Sequence, residues 1–234
     1  ENRLEGRDGA DVLDGRGGND ILEGGSGDDT LRGGADEDTV SYENALSGVV
    51  VDLSSTDQQD TLGAGNDWLS GFENIISSDY DDTLIGDGLG NRIDGGAGND
   101  LIGGGGGNDI LLGGAGVDTL SYASASAGVT VVLNTGVAGT DTVSGFENLI
   151  GSRFDDNLTG DSGDNLIIGG LGDDTLKGGG GTDTVSYADV KVAANDPNPK
   201  TGVTVALGVV DVNGNPVAQN TVRAGSDTLI GMEE

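Results

Sequence analysis

A nine-residue period constrains this chain more than any other feature. Cut every nine residues from Gly95, the sequence reads GGAGNDLIG, then GGGGNDILL from Gly104 and GGAGVDTLS from Gly113. The same frame gives GGSGDDTLR from Gly24, GGLGDDTLK from Gly169 and GGGGTDTVS from Gly178. Looser copies are GRDGADVLD from Gly6, GRGGNDILE from Gly15 and GGADEDTVS from Gly33. Extended over three tracts, the frame yields fifteen units, starting at 6, 15, 24 and 33, at 68, 77, 86, 95, 104 and 113, and at 142, 151, 160, 169 and 178. The eighth position is Leu, Ile or Val in every unit: Leu13, Leu22, Leu31, Val40, Ile75, Leu84, Ile93, Ile102, Leu111, Leu120, Leu149, Leu158, Ile167, Leu176 and Val185. The sixth always carries a side-chain oxygen, from Asp in eleven units, Glu at 73 and 147, and Asn at 91 and 165. A disordered acidic tail has no reason to hold such a register.

Six Gly-rich residues make a tight turn, with glycine supplying backbone angles closed to other residues. The next three make a short strand whose middle residue points one way and whose neighbours point the other. Two units complete one coil, so successive strands fall on opposite sheets. Stacked coils lie about 4.8 Å apart, and the aliphatic columns of the two sheets meet as a thin core. No single unit can bury its one aliphatic residue alone, so several must stack. The predicted class is all-β.

What the turns hold follows from the charge. The chain has 41 Asp and Glu against 10 Lys and Arg, a net charge of −31. That excludes nucleic acid, whose phosphates need clustered cations, and disfavours anionic membrane surfaces. Asp outnumbers Glu 32 to 9, as expected of turns and not of acidic helices. Leu, Ile, Val and Phe make up roughly a quarter of the residues, close to the range in which highly charged chains stay disordered. Something must neutralise the acid before the chain folds, and a hard cation is the simplest agent. The absence of Cys and His removes thiolate and imidazole metal sites, disulfides and the usual nucleophilic triads. No apolar run approaches membrane-spanning length, so no membrane insertion is expected.

The repeat GGxGxD followed by x-aliphatic-x resembles the RTX, or haemolysin-type, nonapeptide. The resemblance implies a right-handed parallel β-roll that binds multiple Ca²⁺ ions between neighbouring turns. It assigns the ion-binding side chains to position six: Asp11, Asp20, Asp29, Asp38, Asp82, Asn91, Asp100, Asp109, Asp118, Asp156, Asn165, Asp174 and Asp183. It assigns the glycine-lined part of the cages to Gly24, Gly25 and Gly27, to Gly95, Gly96 and Gly98, and to Gly104, Gly105 and Gly107. Gly113, Gly114 and Gly116, Gly169, Gly170 and Gly172, and Gly178, Gly179 and Gly181 complete that set. Because turns alternate sides, an ion should bridge units eighteen residues apart, pairing Asp11 with Asp29, Asp20 with Asp38, Asp82 with Asp100, Asp100 with Asp118, and Asp156 with Asp174. Asn91 with Asp109 and Asn165 with Asp183 should bind more weakly, having lost a formal charge. Glu73 and Glu147 depart from the pattern and are not expected to bind calcium in the same way.

Each tract ends in Ser-Tyr (Tyr42, Tyr122, Tyr187), and a strand-like segment follows at 49–53, 129–133 and 203–207. The landmarks Gly71-Phe72-Glu73-Asn74, Gly145-Phe146-Glu147-Asn148 and Gly231-Met232-Glu233-Glu234 come next. The expected organisation is three super-repeats, β-roll tracts interrupted by β-hairpin or strand inserts. They span 1–67 (tract 1–41, insert 42–67), 68–141 (tract 68–121, insert 122–141) and 142–234 (tract 142–186, insert 187–226, next tract from 227). Val210–Val217 reads as a hairpin around Asn213-Gly214. Tyr42, Tyr122, Tyr187, Trp68, Phe72, Phe146 and Phe154 are better read as caps on the thin core than as sugar platforms. No catalytic group stands apart from the repeat, so no enzyme is expected. The resemblance implies a secreted or surface module of a bacterial protein, exported by a type I secretion apparatus and folding in external calcium. The alternative is a module that binds extracellular polysaccharide.

Overall fold

A computed structural model describes residues 1–187, 219–220 and 226–230. The chain forms two compact units, Glu1–Thr119 with Thr140–Phe146 and Leu120–Gly139 with Glu147–Glu234. It is all-β: short strands follow one another, and the one helical element among the described residues is the 3₁₀ turn Leu133–Thr135. No helix among them is long and apolar enough to cross a membrane.

In the first unit, strands pair in parallel at the eighteen-residue spacing. Arg3–Asp8 pairs with Ile21–Ser26, placing Leu4 opposite Leu22. Val12–Gly17 pairs with Thr30–Ala35 on a different sheet, placing Leu13 opposite Leu31. Farther along, Thr83–Ile85 pairs with Leu101–Gly103, and Arg92–Asp94 with Ile110–Leu112. The second unit repeats the arrangement, pairing Asn148–Ile150 with Leu166–Ile168 and Asn157–Thr159 with Thr175–Lys177. Alternate repeats therefore lie on different sheets, as a parallel β-roll requires.

The eighth-position column is the core. Leu22, Leu31, Val40, Leu84, Ile93, Ile102, Leu111, Leu120, Leu158, Ile167 and Leu176 are each 0% exposed, and the residues flanking them in the strands are less buried. Leu13 and Val185 are half-buried, because each lies on the last strand of its sheet and has a strand on one side only. Close stacking explains the glycines at the second and fourth turn positions. Gly25 has φ +97°, and a Cβ there would lie 1.8 Å from the Arg7 carbonyl oxygen one coil away. Gly116 has φ +150°, and its Cβ would lie 1.7 Å from the Gly98 oxygen.

The insert after Tyr42 does not interrupt both sheets equally. Asn74–Ile76 pairs with Thr39–Ser41 on one side and Arg92–Asp94 on the other, so that sheet runs straight through. The opposite sheet stops: Thr30–Ala35 is followed by Asn66–Ser70, which closes in an antiparallel hairpin with Gln59–Asp60. A fresh sheet starts with Val50–Asp52, paired in parallel with Thr83–Ile85, and Val51 enters the core opposite Leu84. In the second unit Thr130–Val132 also pairs in parallel, with Asn157–Thr159, but it has an antiparallel partner in Val137–Ala138 on its other side, so it lies within a sheet and does not start one.

The repeat frame slips at these junctions. Leu69 and Ile75 are both core residues, 4% and 1% exposed, yet they stand six positions apart instead of nine. Residues 62–70, LGAGNDWLS, form a unit three residues out of the frame starting at 68. Asp141-Thr142-Val143-Ser144 likewise repeats Asp38-Thr39-Val40-Ser41, and Asp141–Ser144 pairs with Ile110–Leu112. Ser226–Ile230 pairs in parallel with Thr175–Lys177 and antiparallel to Gln219–Asn220. The expected strand at 203–207, the hairpin Val210–Val217 and the landmark from Gly231 lie outside the described residues.

Candidate metal centre

Stacking turns at this spacing brings the sixth-position side chains into register. The backbone N–H of each donates to Oδ1 of the one eighteen residues on: Asp11 to Asp29 and Asp20 to Asp38 at 2.8 Å, Asp82 to Asp100 and Asp100 to Asp118 at 2.9 Å, and Asp156 to Asp174 at 2.9 Å. Asn91 donates to Asp109 at 2.9 Å and Asn165 to Asp183 at 3.0 Å. All seven expected pairs are thus adjacent. The fifth position forms a ladder of the opposite sense, with Asn99 N–H donating to the earlier Asp81 at 2.7 Å and Thr182 N–H to Asp164 at 2.7 Å.

At several of these positions one carboxylate oxygen is stranded beside the ladder. Oδ2 of Asp11, Asp20, Asp29, Asp38, Asp100 and Asp183 is buried and meets no hydrogen-bond donor. The first-position glycine leaves room for it: a Cβ on Gly24 would lie 2.2 Å from Asp29 Oδ2, and one on Gly95 2.6 Å from Asp100 Oδ2. Main-chain carbonyls of the second and fourth positions, such as those of Arg7 and Gly9, project into the gap between stacked turns. Among the described residues no three carboxylates cluster as a metal cage. Where such an oxygen is stranded, the donor set of the gap is that carboxylate oxygen plus main-chain carbonyl, all hard oxygen.

The electrostatics are unfavourable until that set is neutralised. Burial raises the Asp100 carboxyl to about 7, with the Asp82, Asp118 and Asp81 charges adding to it. Burial likewise raises Asp109 to about 6, with Asp141 and Asp87 contributing. Asp29, Asp38 and Asp118 are raised for the same leading reason. A buried carboxylate without a partner is expensive, and two about 4 Å apart repel by roughly 4 kcal/mol at an effective dielectric of 20. Oxygen-only donors with carbonyls among them suit Ca²⁺, which accepts six to eight such ligands in flexible geometry. The residues present fit the ion.

Two ladder members were not anticipated. Asp67 takes the Asp29 N–H at 3.1 Å, and Asp141 takes the Asp109 N–H at 3.0 Å. The signal for both was Asp-x-aliphatic, hidden because the frame slips by three residues. Asp67 closes its ladder without leaving an oxygen stranded, since its Oδ2 accepts from the Tyr42 hydroxyl at 3.0 Å and the Thr61 hydroxyl at 3.0 Å. Glu73 Oε2 accepts the Asp38 N–H at 2.9 Å, so its longer side chain continues the ladder. Tyr42, Tyr122, Phe72 and Phe146 are buried, in keeping with a capping role. Trp68 differs, being 52% exposed, because it is an outward-facing neighbour of Leu69.

A family model described as an RTX calcium-binding nonapeptide repeat in four copies matches residues 5–40, 85–120 and 150–185. Each window falls within one tract and spans four successive units, so it covers both sides of the ladder. No curated protein matches the chain.

Proposed function

The repeat tracts of this chain belong to the RTX calcium-binding nonapeptide family, making it a module that binds multiple Ca²⁺ ions, and we propose that this binding is its folding switch. The observation behind the proposal is the row of buried carboxylate oxygens with no donor, at Asp11, Asp20, Asp29, Asp38, Asp100 and Asp183. These oxygens, with main-chain carbonyls of the glycine-lined turns, are the groups assigned to hold the ions. Bound calcium supplies positive charge where the fold has buried negative charge. The chain's own part is to bring each carboxylate to its partner turn: Oδ1 is oriented by a backbone N–H, and the glycines keep the space clear. Free energy of binding is then free energy of folding.

In this reading the chain stays open where calcium is scarce and closes outside the cell. Extracellular calcium modules bind at about 10⁻⁴–10⁻³ M, which fits such a transition. We assign the module to a secreted or surface protein exported by a type I apparatus, with a structural and not a catalytic role. Far-UV circular dichroism during a Ca²⁺ titration of chelator-treated protein, with Mg²⁺ as control, tests the switch. A cooperative transition from coil to β with calcium alone is expected. An unchanged β spectrum in chelator overturns the switch and leaves a constitutive scaffold.

A second reading has one observation in its favour. Trp68 lies exposed on an outer sheet face, where Thr30, Arg32 and Ser70 line a shallow recess beside it. An aromatic next to a cation suits an acidic sugar chain. Trp68 is the sole tryptophan, so its fluorescence reports on the recess directly. Saturable quenching by an oligouronate in calcium supports glycan binding, and no change removes this reading.

A further inference from the structure

Apart from the turns at the insert junctions, the repeat turns show two conformational classes. In the turns starting at 6, 15, 24, 33, 95, 104, 113, 169 and 178, the second and fourth positions both have positive φ, Arg7 (84°), Arg16 (74°) and Asp36 (79°) included. Four other turns have positive φ at neither place: 77–82, 86–91, 151–156 and 160–165. Their second positions are Ser78, Asp87, Ser152 and Asp161 instead of glycine.

These four turns close on themselves. The Ser78 N–H donates to Asp82 Oδ2 at 3.0 Å, and its hydroxyl donates to Asp82 Oδ1 at 2.8 Å. The same hydroxyl oxygen accepts the Tyr80 N–H at 3.2 Å. Ser152 repeats all three contacts with Asp156 and Phe154, at 2.6, 2.9 and 3.1 Å. In the next turn, Asp87 N–H donates to Asn91 Oδ1 at 2.9 Å, and Asp87 Oδ1 accepts the Leu89 N–H at 2.7 Å. Asp161 does the same with Asn165 and Gly163, at 2.9 and 2.8 Å. The amide nitrogens of Asn91 and Asn165 donate to the Glu73 and Glu147 carbonyls at 3.0 and 2.7 Å. Insert strands add one bond more, from Val49 N–H to Asp82 at 2.6 Å and Val129 N–H to Asp156 at 2.7 Å. At these four positions no side-chain oxygen is stranded, because N–H and hydroxyl donors already meet them.

Two successive turns lie on opposite sides of a roll and complete one coil. We propose that turns 77–82 with 86–91, and turns 151–156 with 160–165, form opening coils that close without calcium, and that Asp82, Asn91, Asp156 and Asn165 are not calcium ligands. Resting on the calcium reading above, this sharpens it: each of these tracts has, near its start, one coil held by its own side chains, and calcium-dependent coils stack onto it. The assignment departs from the repeat pattern, which treats all sixth positions alike.

Two measurements on the full chain test it. The first is the number of calcium ions retained, counted by native mass spectrometry. Asp29→Asn and Asp100→Asn are expected to lower the count, whereas Asp82→Asn and Asp156→Asn leave it at the wild-type value. An equal loss in all four variants overturns the inference. The second is hydrogen exchange of the wild type in chelator. Peptides covering 76–92 and 150–166 are expected to exchange at least tenfold more slowly than those covering 24–38 and 169–183, and Ser78→Ala with Ser152→Ala removes that difference. Uniform exchange in the wild type overturns it. A wild type that binds no calcium sinks the calcium reading itself, and the exchange contrast then still decides whether the opening coils are self-closed.

Discussion

Asp29 and Asp82 occupy the same place in the repeat and live in different surroundings. Asp29 keeps one oxygen for the ladder and one for the gap between turns, whereas Asp82 gives both to Ser78. The sixth position was legible in the sequence because its spacing is strict. Its two fates were not, because they turn on whether the second position can reach positive φ, a question of backbone conformation decided four residues earlier. Asp67 escaped notice for a different reason: it belongs to a well-formed unit that an insert has moved out of frame. Glycine carries its own prediction at this scale. Gly25→Ala places a methyl 1.8 Å from the Arg7 oxygen at φ +97°, and both clash and strain should destabilise the fold by more than about 1–3 kcal/mol. Thermal unfolding in saturating calcium should show a large fall in midpoint, whereas Gly17→Ala, where a Cβ meets nothing within 4 Å, should change it little.

At the scale of the strand, the aliphatic column was read correctly from the sequence alone, since one residue in nine can be buried only if it always faces inward. Ile102 is 0% exposed and stands between strands of the same sheet. Ile102→Ala should cost about 2–5 kcal/mol, the range for emptying a core site, as measured by denaturant unfolding with calcium in excess. Ile110→Ala, at a position 42% exposed on the outer face, should cost well under half of that. The inserts were harder to read. Alternation marked Val50–Asp52 and Thr130–Val132 as strands, but nothing in a short alternating run says which strand it will pair with. Their close approach to the next coil needs Gly48 and Gly128, where a Cβ would lie 2.0 Å from the Asp81 and Asp155 carbonyl oxygens respectively. Gly48→Ala should therefore uncouple the insert strand and raise hydrogen exchange at 49–53 before the rest of the first unit is affected.

For the whole molecule, the burial of so many carboxylates fixes the pH response. Asp100 and Asp109 are raised to about 7 and about 6 by burial, so the folded chain binds protons that the unfolded chain has released. Without calcium, stability is then greatest below the ordinary aspartate range near 4 and is lost as pH rises through 6 to 7. The melting midpoint in chelator should be higher at pH 5 than at pH 7.5. In excess calcium the order should reverse, because protons then compete with the ion for the same oxygens. A flat profile in both conditions would mean that the carboxylates are not the controlling groups.

The pairing of residues eighteen apart makes each tract a matter of parity. Because odd and even repeats occupy opposite sides, removing one nonapeptide, such as 95–103, would hand every later turn of that tract to the other side and match it against the wrong neighbours. Removing two, 95–112, would leave every surviving strand on its own sheet with its own kind of partner. The length of such an array is therefore free to change cheaply only in whole coils, and a change by a single repeat needs a junction able to let one sheet stop while the other carries on.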